Sequence, residues 1–475
     1  MPSSPGDLHV VIGLGRSGLG AARLLQRQGH RVVVLEQHRS PSLEAKAASL
    51  QHEGIAVQLG ITLEPTSLSG LPAEPASVVV SPGIRWDHPA LTAWRARGVH
   101  LEGELAPAWR ASAGVPWIGI TGTNGKTTVT HLVNHLLCNQ GIDAPMGGNV
   151  GNSAAELVLE RCLEPTRRPQ WLVMELSSYQ IEAAPLVAPR IGIWTTLTPD
   201  HLERHGSLEA YRAIKRGLLE RSGVQILNAD DPDIQAQAQA SHWERACWVT
   251  AGDRDALPSS ITPSLWIEAG QVMHRPSHGQ HSGEEAQVLM PANCLAMPGD
   301  HNRQNMLLAV AAALEAGLDG QQMATAFSNF PGVPHRLERL RELNGVAYYN
   351  DSKATNYDAA AVALKALEGP LVVLAGGEAK IGDATDWLNQ LKRQARAVIL
   401  FGSAQETFAA LLHQADFEGT VECCSGLAVG VGLAAQLAEQ HSCRAVLLSP
   451  ACASFDQYSD FEARGDHFKE LVLGL

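Results

Sequence analysis

The chain has 475 residues, 45% of them hydrophobic and 18% charged, with a formal net charge of -13. That length exceeds one ordinary core and predicts two or three domains, while the acidic balance without a basic run excludes a nucleic-acid partner. Eight cysteines without a C-x-x-C pair exclude a disulfide framework or zinc site, and no run reaches the ~18 apolar residues of a membrane span, so a cytoplasmic protein without signal peptide is expected.

Short runs rich in Val, Ile and Leu alternate with amphipathic stretches, the pattern of parallel sheets wrapped by helices. Strands are predicted at His9–Ile12, Arg31–Leu35 and Val78–Ser81. The first leads into Gly13-Leu-Gly15-Arg-Ser-Gly18 and an apolar helix, Leu19–Gln28, and Glu36 follows the second. A glycine turn opening a helix offers N–H groups and a dipole to a diphosphate, and the acid stands at the spacing of a ribose ligand. The turn does not specify its ligand. A nicotinamide or flavin dinucleotide, another nucleotide diphosphate, and plain strand–helix packing all stay open.

The pattern restarts after a helical stretch near Glu104–Ser112, where Gly114-Val115-Pro116 leads into a strand at Trp117–Thr121. Then comes G-I-T-G-T-N-G-K-T-T (119–128), which misses the G-x-x-x-x-G-K-[ST] phosphate loop because Ile120 stands where the first glycine belongs. The chemistry is nevertheless present: small residues for close backbone approach, Lys126 for phosphate charge, and Thr127 to reach a metal ion. A helix over Thr127–Asn139 completes the setting, which argues against a chance G-K-T. Predicted strands Trp171–Leu176 and Ile191–Thr195 carry Glu175 at one end and precede His201. At the carboxyl ends of parallel strands, these two and Thr127 suit Mg²⁺, which takes oxygen ligands and keeps several waters. Taken singly, each reads as an exposed acid or a loop histidine. Lys215, in a helix over Leu208–Arg221, reads as a surface lysine.

A strand at Val224–Leu227 follows, and the polar stretch His274–Glu285 within Trp266–Met290 predicts a loop between antiparallel strands. A turn-rich hinge, Phe330-Pro-Gly-Val-Pro334, precedes the second restart, with strands at Val346–Asn350, Leu371–Ala375, Ala397–Phe401 and Ala445–Ser449. Three of them end in polar loops: Asn350–Asn356, Gly376–Lys380 and Ser449–Ser454. Such loops at one end of one sheet predict a pocket for a small polar or anionic ligand. Cys452 has no histidine placed beside it and reads as a packed residue. Three α/β domains follow, near 1–105, 106–332 and 333–475.

T-G-T-N-G-K-T-T resembles the phosphate loop of the ATP-dependent Mur ligases and related folylpolyglutamate synthetases, whose own form has this shortened glycine spacing. G-G-N-V-G (147–151), E-L-S-S-Y-Q (175–180), D-H (200–201), Y-R-A-I-K (211–215), H-N-R-Q-N (301–305) and P-H-R (334–336) lie in that family's order. The resemblance therefore covers essentially the whole chain. Within the family, N-D-S-K-A-T-N and S-P-A-C-A-S-F-D-Q-Y-x-x-F-E-x-R-G are similar to the D-glutamate-adding branch.

The resemblance implies a Rossmann-like N-terminal domain, a central P-loop-type ATP-binding domain and a C-terminal Rossmann-like domain. It implies ATP-driven amide synthesis for peptidoglycan precursors: D-glutamate joins UDP-N-acetylmuramoyl-L-alanine through an acyl phosphate. Gly122, Thr123, Asn124, Gly125, Lys126, Thr127 and Thr128 are implied to hold the ATP phosphates. Thr127 and Glu175 would share one Mg²⁺, and His201 with a carbamylated Lys215 a second. Asn305, Arg336 and Asp351 would hold adenine, phosphate and ribose, and Asn149 and Lys353 the activated carboxylate. Thr355, Lys380, Ser454 and Phe461 would form the D-glutamate site. Ser17, Ser81 and Gly83 would meet the pyrophosphate of UDP, and Glu36 its uracil. Two departures stand out: many relatives read Asp-Thr-Arg where this chain has Glu36-Gln37-His38, and Glu378 replaces a common Asp. A monomer without membrane insertion is expected. Competing classes are another amino-acid ligase of the superfamily, a nicotinamide-dependent oxidoreductase and a nucleotide-binding switch.

Overall fold

Apolar runs punctuated by glycine become the buried strands of three sheets. The computed structural model describes residues 4, 6–240, 243, 245–276, 285–297, 299–379 and 382–475. The chain divides into two compact units, Met1–Ala296 with Asp300–Phe330, and Met297–Gly299 with Pro331–Leu475. Among the described residues, no helix is long and apolar enough to cross a membrane.

The first unit carries two sheets. One is wholly parallel, in the order Ala56–Leu59, Arg31–Glu36, Leu8–Ile12, Ser77–Val80, Leu101–Gly103. Strand order reverses on either side of Leu8–Ile12, which opens a crevice beyond its carboxyl end. The other sheet runs Gln287–Pro291, Gln271–His274, Pro263–Glu268, Ala246–Thr250, Val224–Asn228, Ile191–Trp194, Trp117–Thr121, Leu172–Glu175, Met146–Gly148. Its first two pairings are antiparallel and the rest parallel. The predicted loop between antiparallel strands lies where Gln271–His274 pairs with Gln287–Pro291, and its residues 277–284 lie outside the described residues.

One continuous hydrophobic core joins these two sheets, from Val11, Leu24 and Val34 through Leu105 and Val158 to Trp117 and Trp194. The helices Arg16–Arg27 and Ala154–Arg161 meet closely there: a Cβ on Gly20 would stand 2.4 Å from Ser153 Oγ. A side chain larger than hydrogen would push these helices apart.

In the second unit the order is Glu338–Leu343, Val346–Asn350, Ala445–Leu448, Leu371–Gly376, Ala395–Phe401, Thr420–Cys423, all parallel except the first pair. Apolar clusters cover both faces, as a sheet flanked by helices requires. The three polar loops anticipated from sequence follow Val346–Asn350, Ala445–Leu448 and Leu371–Gly376, which are neighbours in the sheet.

Every predicted strand overlaps an observed one, but several observed strands carried no apolar signal. Ala56–Leu59 and Thr420–Cys423 are edge strands with mostly solvent-facing residues, and Met146–Gly148 is three residues long with two glycines. Glu338–Leu343 reads E-R-L-R-E-L and pairs on one side only.

Candidate active site

The glycine turn after Leu8–Ile12 has the geometry its sequence requires. Gly13 has φ +95°, and a Cβ on Gly18 would lie 1.9 Å from the Gly13 carbonyl oxygen, so only glycine lets this helix start against the strand. Glu36 closes the turn: its two carboxylate oxygens accept from Leu14 N at 2.7 Å and His38 N at 2.8 Å. A cleft of about 610 Å³ opens here. It brings together Ser17, Glu36, Ser81 and Gly83 with Asn149, which belongs to the second sheet's loops. Arg16, Arg85, His88 and Gln180 also line it and were not singled out from sequence, as does His38, which stood out there only as a departure from relatives. Gln180 stood inside the quoted E-L-S-S-Y-Q, but a glutamine on a short helix carries no signal of its own.

The second glycine turn, after Trp117–Thr121, is gripped from several sides. Gly122 (φ +148°) lies so close to Thr195 that a Cβ would stand 2.0 Å from its Oγ1, and Gly125 (φ +83°) caps the helix Lys126–Asn139. Thr123 N donates to Thr196 O at 2.8 Å and Asn124 N to Thr196 Oγ1 at 2.9 Å. Asn305 sits against the turn, its Oδ1 2.6 Å from where a Gly125 Cβ would be. Thr127 and Thr128 are buried in the first helical turn. Lys126 Nζ donates to the carbonyls of Gly122 at 2.9 Å and Thr123 at 2.7 Å.

Lys215 overturns its reading as a surface lysine. It is 1% exposed, and its Nζ donates to Gly122 O at 2.9 Å and Thr121 Oγ1 at 3.3 Å, above the Tyr211 ring at 4.5 Å. Burial, and secondarily the positive charge of Lys126, holds its amine well below the ordinary lysine range, while Asp200 acts the other way. The signal was present in the helix Leu208–Arg221. Tyr211, Lys215, Leu218 and Leu219 share the buried face at helical spacing, so the lysine occupies a core position.

Glu175 ends the strand beside Trp117–Thr121, in register with Ile120, and is 2% exposed. Its Oε1 accepts from Asn149 Nδ2 at 2.8 Å, whereas its Oε2 is buried without a hydrogen-bond partner. An orphaned carboxylate oxygen next to a phosphate-type turn fits a cation. Among the described residues no three His, Cys, Asp or Glu side chains cluster as a metal site, so a cation here would rely on hydroxyl, water and phosphate oxygens, the donor set of Mg²⁺. His201 sits in the left-handed region (φ 54°) at the start of Leu202–His205, with Asp200 at 3.4 Å and the Tyr179 ring at 5.0 Å.

In the second unit, Lys353 Nζ lies over the Phe461 ring at 5.3 Å, and Ser454 is buried while Thr355 is half-buried. Lys380 lies outside the described residues. Asp351 is buried, and burial pushes its carboxyl up to about 7 although Ser449 Oγ donates to it at 2.9 Å and Arg336 acts from nearby. Cys452 is fully buried in the core. Sequence reasoning missed Arg464, which is 0% exposed. Its guanidinium donates to Ser352 O at 2.7 Å, Ser352 Oγ at 2.9 Å, Cys452 O at 3.1 Å and Ala453 O at 3.2 Å. With a further contact from Nη1 to Gly376 O at 3.5 Å, one side chain thus ties all three polar loops together, and the bridge Glu378–Ala453 joins two of them again.

Two glycine-turn anion sites on parallel α/β sheets, one backed by two lysines, define a nucleotide-binding enzyme architecture. Family models match along the chain: the Mur ligase MurD-like N-terminal domain over residues 7–103, the Mur ligase middle domain over 120–313, and the Mur ligase glutamate ligase domain over 335–452. The chain belongs to the Mur ligase family. It is 54% identical to the UDP-N-acetylmuramoylalanine–D-glutamate ligase of Prochlorococcus marinus (strain MIT 9313), over 98% of each chain. It is 55% identical to the enzyme of that name from Synechococcus sp. (strain CC9605), again over 98% of both. Among solved structures, UDP-N-acetylmuramate–alanine ligase from Thermotoga maritima aligns over 98% of this chain and 99% of its own, with a TM-score of 0.56 and 17% identity, a likeness of fold.

Proposed function

We infer that the chain is an ATP-dependent ligase that joins D-glutamate to UDP-N-acetylmuramoyl-L-alanine in peptidoglycan synthesis, as the names of its relatives indicate. The observation that carries this reading is Asn149. Its side chain lines the nucleotide-sized cleft and also bonds Glu175 beside the phosphate turn, so the two anion sites share a wall. A substrate whose diphosphate lies at Gly13–Gly18 can then present its far carboxylate to the γ-phosphate of ATP at Gly122–Thr128.

The chemistry follows from charge. A carboxylate is a poor electrophile. Its oxygen attacks the γ-phosphorus and ADP leaves, which gives an acyl phosphate. The amine of D-glutamate, having lost a proton, then attacks the acyl carbon, and the tetrahedral intermediate expels phosphate. Lys126 offsets the charge of the transferring phosphoryl group. Thr127 and Glu175 would hold a Mg²⁺ ion, which would supply further charge stabilisation, and the orphaned Glu175 Oε2 supports that placement. His201 and a carbamylated Lys215 would hold a second Mg²⁺. The depressed basicity of Lys215 supports that modification, because only a neutral amine takes up carbon dioxide. Asn305, Arg336 and Asp351 hold the nucleoside and phosphates of ATP. Asn149 and Lys353 orient the activated carboxylate, and Thr355, Lys380, Ser454 and Phe461 hold D-glutamate. Ser17, Ser81, Gly83 and Glu36 serve the UDP moiety. The domains run 1–105, 106–332 and 333–475, and the enzyme acts in the cytoplasm as a monomer.

ADP release with UDP-N-acetylmuramoyl-L-alanine tests the reading, with D-glutamate compared against L-glutamate, L-alanine and diaminopimelate. Release that depends on D-glutamate is expected. Equal or faster release with another amino acid reassigns the chain within the superfamily, and no release with any of them rejects the ligase.

A further inference from the structure

Glu104 is 1% exposed in the first unit, between the edge strand Leu101–Gly103 and the helix Leu105–Ala111. Nothing in the reaction above uses it. Its two carboxylate oxygens are shared out: Oε1 accepts from Gln180 Nε2 at 3.1 Å and Oε2 from Ala155 N at 3.3 Å. The second donor belongs to the first turn of Ala154–Arg161, whose dipole favours an anion there. Gln180 is held at its other end too, because its Oε1 accepts from Ser177 N and Ser177 Oγ, both at 3.0 Å. Carbonyl toward Ser177 and nitrogen toward Glu104 leaves one arrangement of this buried amide. Its second N–H has no partner among the described residues, and Gln180 lines the cleft.

We propose that Glu104 is a positioning residue that fixes the amide of Gln180 so that its remaining N–H faces an acceptor oxygen of the sugar-nucleotide substrate. Both flips of an unconstrained carboxamide would be populated, and one presents a carbonyl to an anionic ligand. A carboxylate at 104 opposes that flip together with Ser177, since two acceptors would then meet at Glu104 and two donors at Ser177 N. The same group pins Ala155, two residues from the cleft-lining Ser153. Burial pushes Glu104 up to about 7 against the pull of its two donors, so the carboxylate form gains ground as pH rises to 8.

This inference rests on the cleft being the site of UDP-N-acetylmuramoyl-L-alanine, and calorimetry with that compound on the full chain at pH 8 separates the two claims. No binding by the unaltered protein rejects the cleft assignment itself. With binding established, Glu104→Gln keeps the shape but loses one acceptor, and affinity is expected to fall about three- to tenfold. Gln180→Met should fall equally, and the double variant should be no weaker than either single one, because the two act through one hydrogen bond. Binding of an ATP analogue should be unchanged in all three. Unchanged affinity in Glu104→Gln, or additive losses in the double variant, would overturn the proposal. Should Glu104→Gln not fold, unchanged affinity in Gln180→Met overturns it equally.

Discussion

The two glycine turns of the first unit use the same backbone device for opposite electrostatic ends. Each follows a buried parallel strand, each holds at least one glycine at positive φ, and each opens a helix. At Gly13–Gly18 the side chain that closes the turn is an acid, Glu36, bonded to two backbone amides. At Gly122–Lys126 two lysines converge on a single carbonyl, that of Gly122, each at 2.9 Å. A diphosphate that is merely held needs N–H groups and a dipole. A phosphoryl group in flight needs mobile positive charge and a metal. A glycine pattern thus locates an anion, whereas the charge of the neighbouring side chains says whether the anion reacts.

The largest effect is expected at Lys126. Lys126→Ala should lower ADP formation by about 10³-fold or more, with unchanged thermal unfolding and little change in sugar-nucleotide binding. Turnover close to the unaltered enzyme's would show that the second turn, like the first, only binds.

Lys215 comes next. Lys215→Ala should lower the rate by about 10²-fold. Added acetate should restore part of it by standing in for a carbamate carboxylate, and Lys215→Arg should not respond. Because the buried amine titrates well below its ordinary range, it is neutral at pH values where a surface lysine is charged. The predicted modification therefore persists to lower pH than for an exposed lysine, and ¹³C-labelled carbon dioxide detects it without any turnover. A fully active Lys215→Ala without added acid would return the lysine to a structural role.

How much of this was legible beforehand varied by residue. The glycine turns and their flanking strands were readable because sterics and burial act locally: a 1.9 Å approach leaves no choice but Gly18. Buried cations were less readable. Lys215 and Arg464 both sit on the apolar face of a helix, Arg464 among Phe461, Phe468 and Val472 at helical spacing, yet charge alone argues for solvent. Periodicity outweighs residue type in such cases, since a lone cation on a core stripe must have been given partners. The edge strands Ala56–Leu59 and Thr420–Cys423 stayed invisible for the opposite reason, as their pairing is specified by neighbours rather than by their own burial.

Gly18→Ala should act on stability more than on chemistry. Its new methyl meets the Gly13 carbonyl, and overpacking of this kind costs about 1–3 kcal/mol. A lower melting temperature and weaker UDP binding are expected, with ATP binding unchanged. Loss of ATP binding as well would mean that the two turns are not independent.

The smallest effect should come from Glu36, and it discriminates most finely between holding and reacting. Its carboxylate serves two amides on different oxygens, Leu14 N at 2.7 Å and His38 N at 2.8 Å. Glu36→Gln keeps the shape and one acceptor but turns an NH₂ toward the other amide, a mismatch worth about 1–2 kcal/mol. The strained part is the turn itself, so the KM for the sugar nucleotide should rise about fivefold while kcat stays level, because this end of the substrate contributes equally before and during the chemical step. A fall in kcat approaching that of Lys126→Ala would mean that the acid takes part in phosphoryl transfer, and the division between a holding turn and a reacting one would fail. An unchanged KM would mean instead that Leu14 and His38 find other acceptors, and that the closure of the first turn does not depend on its acid.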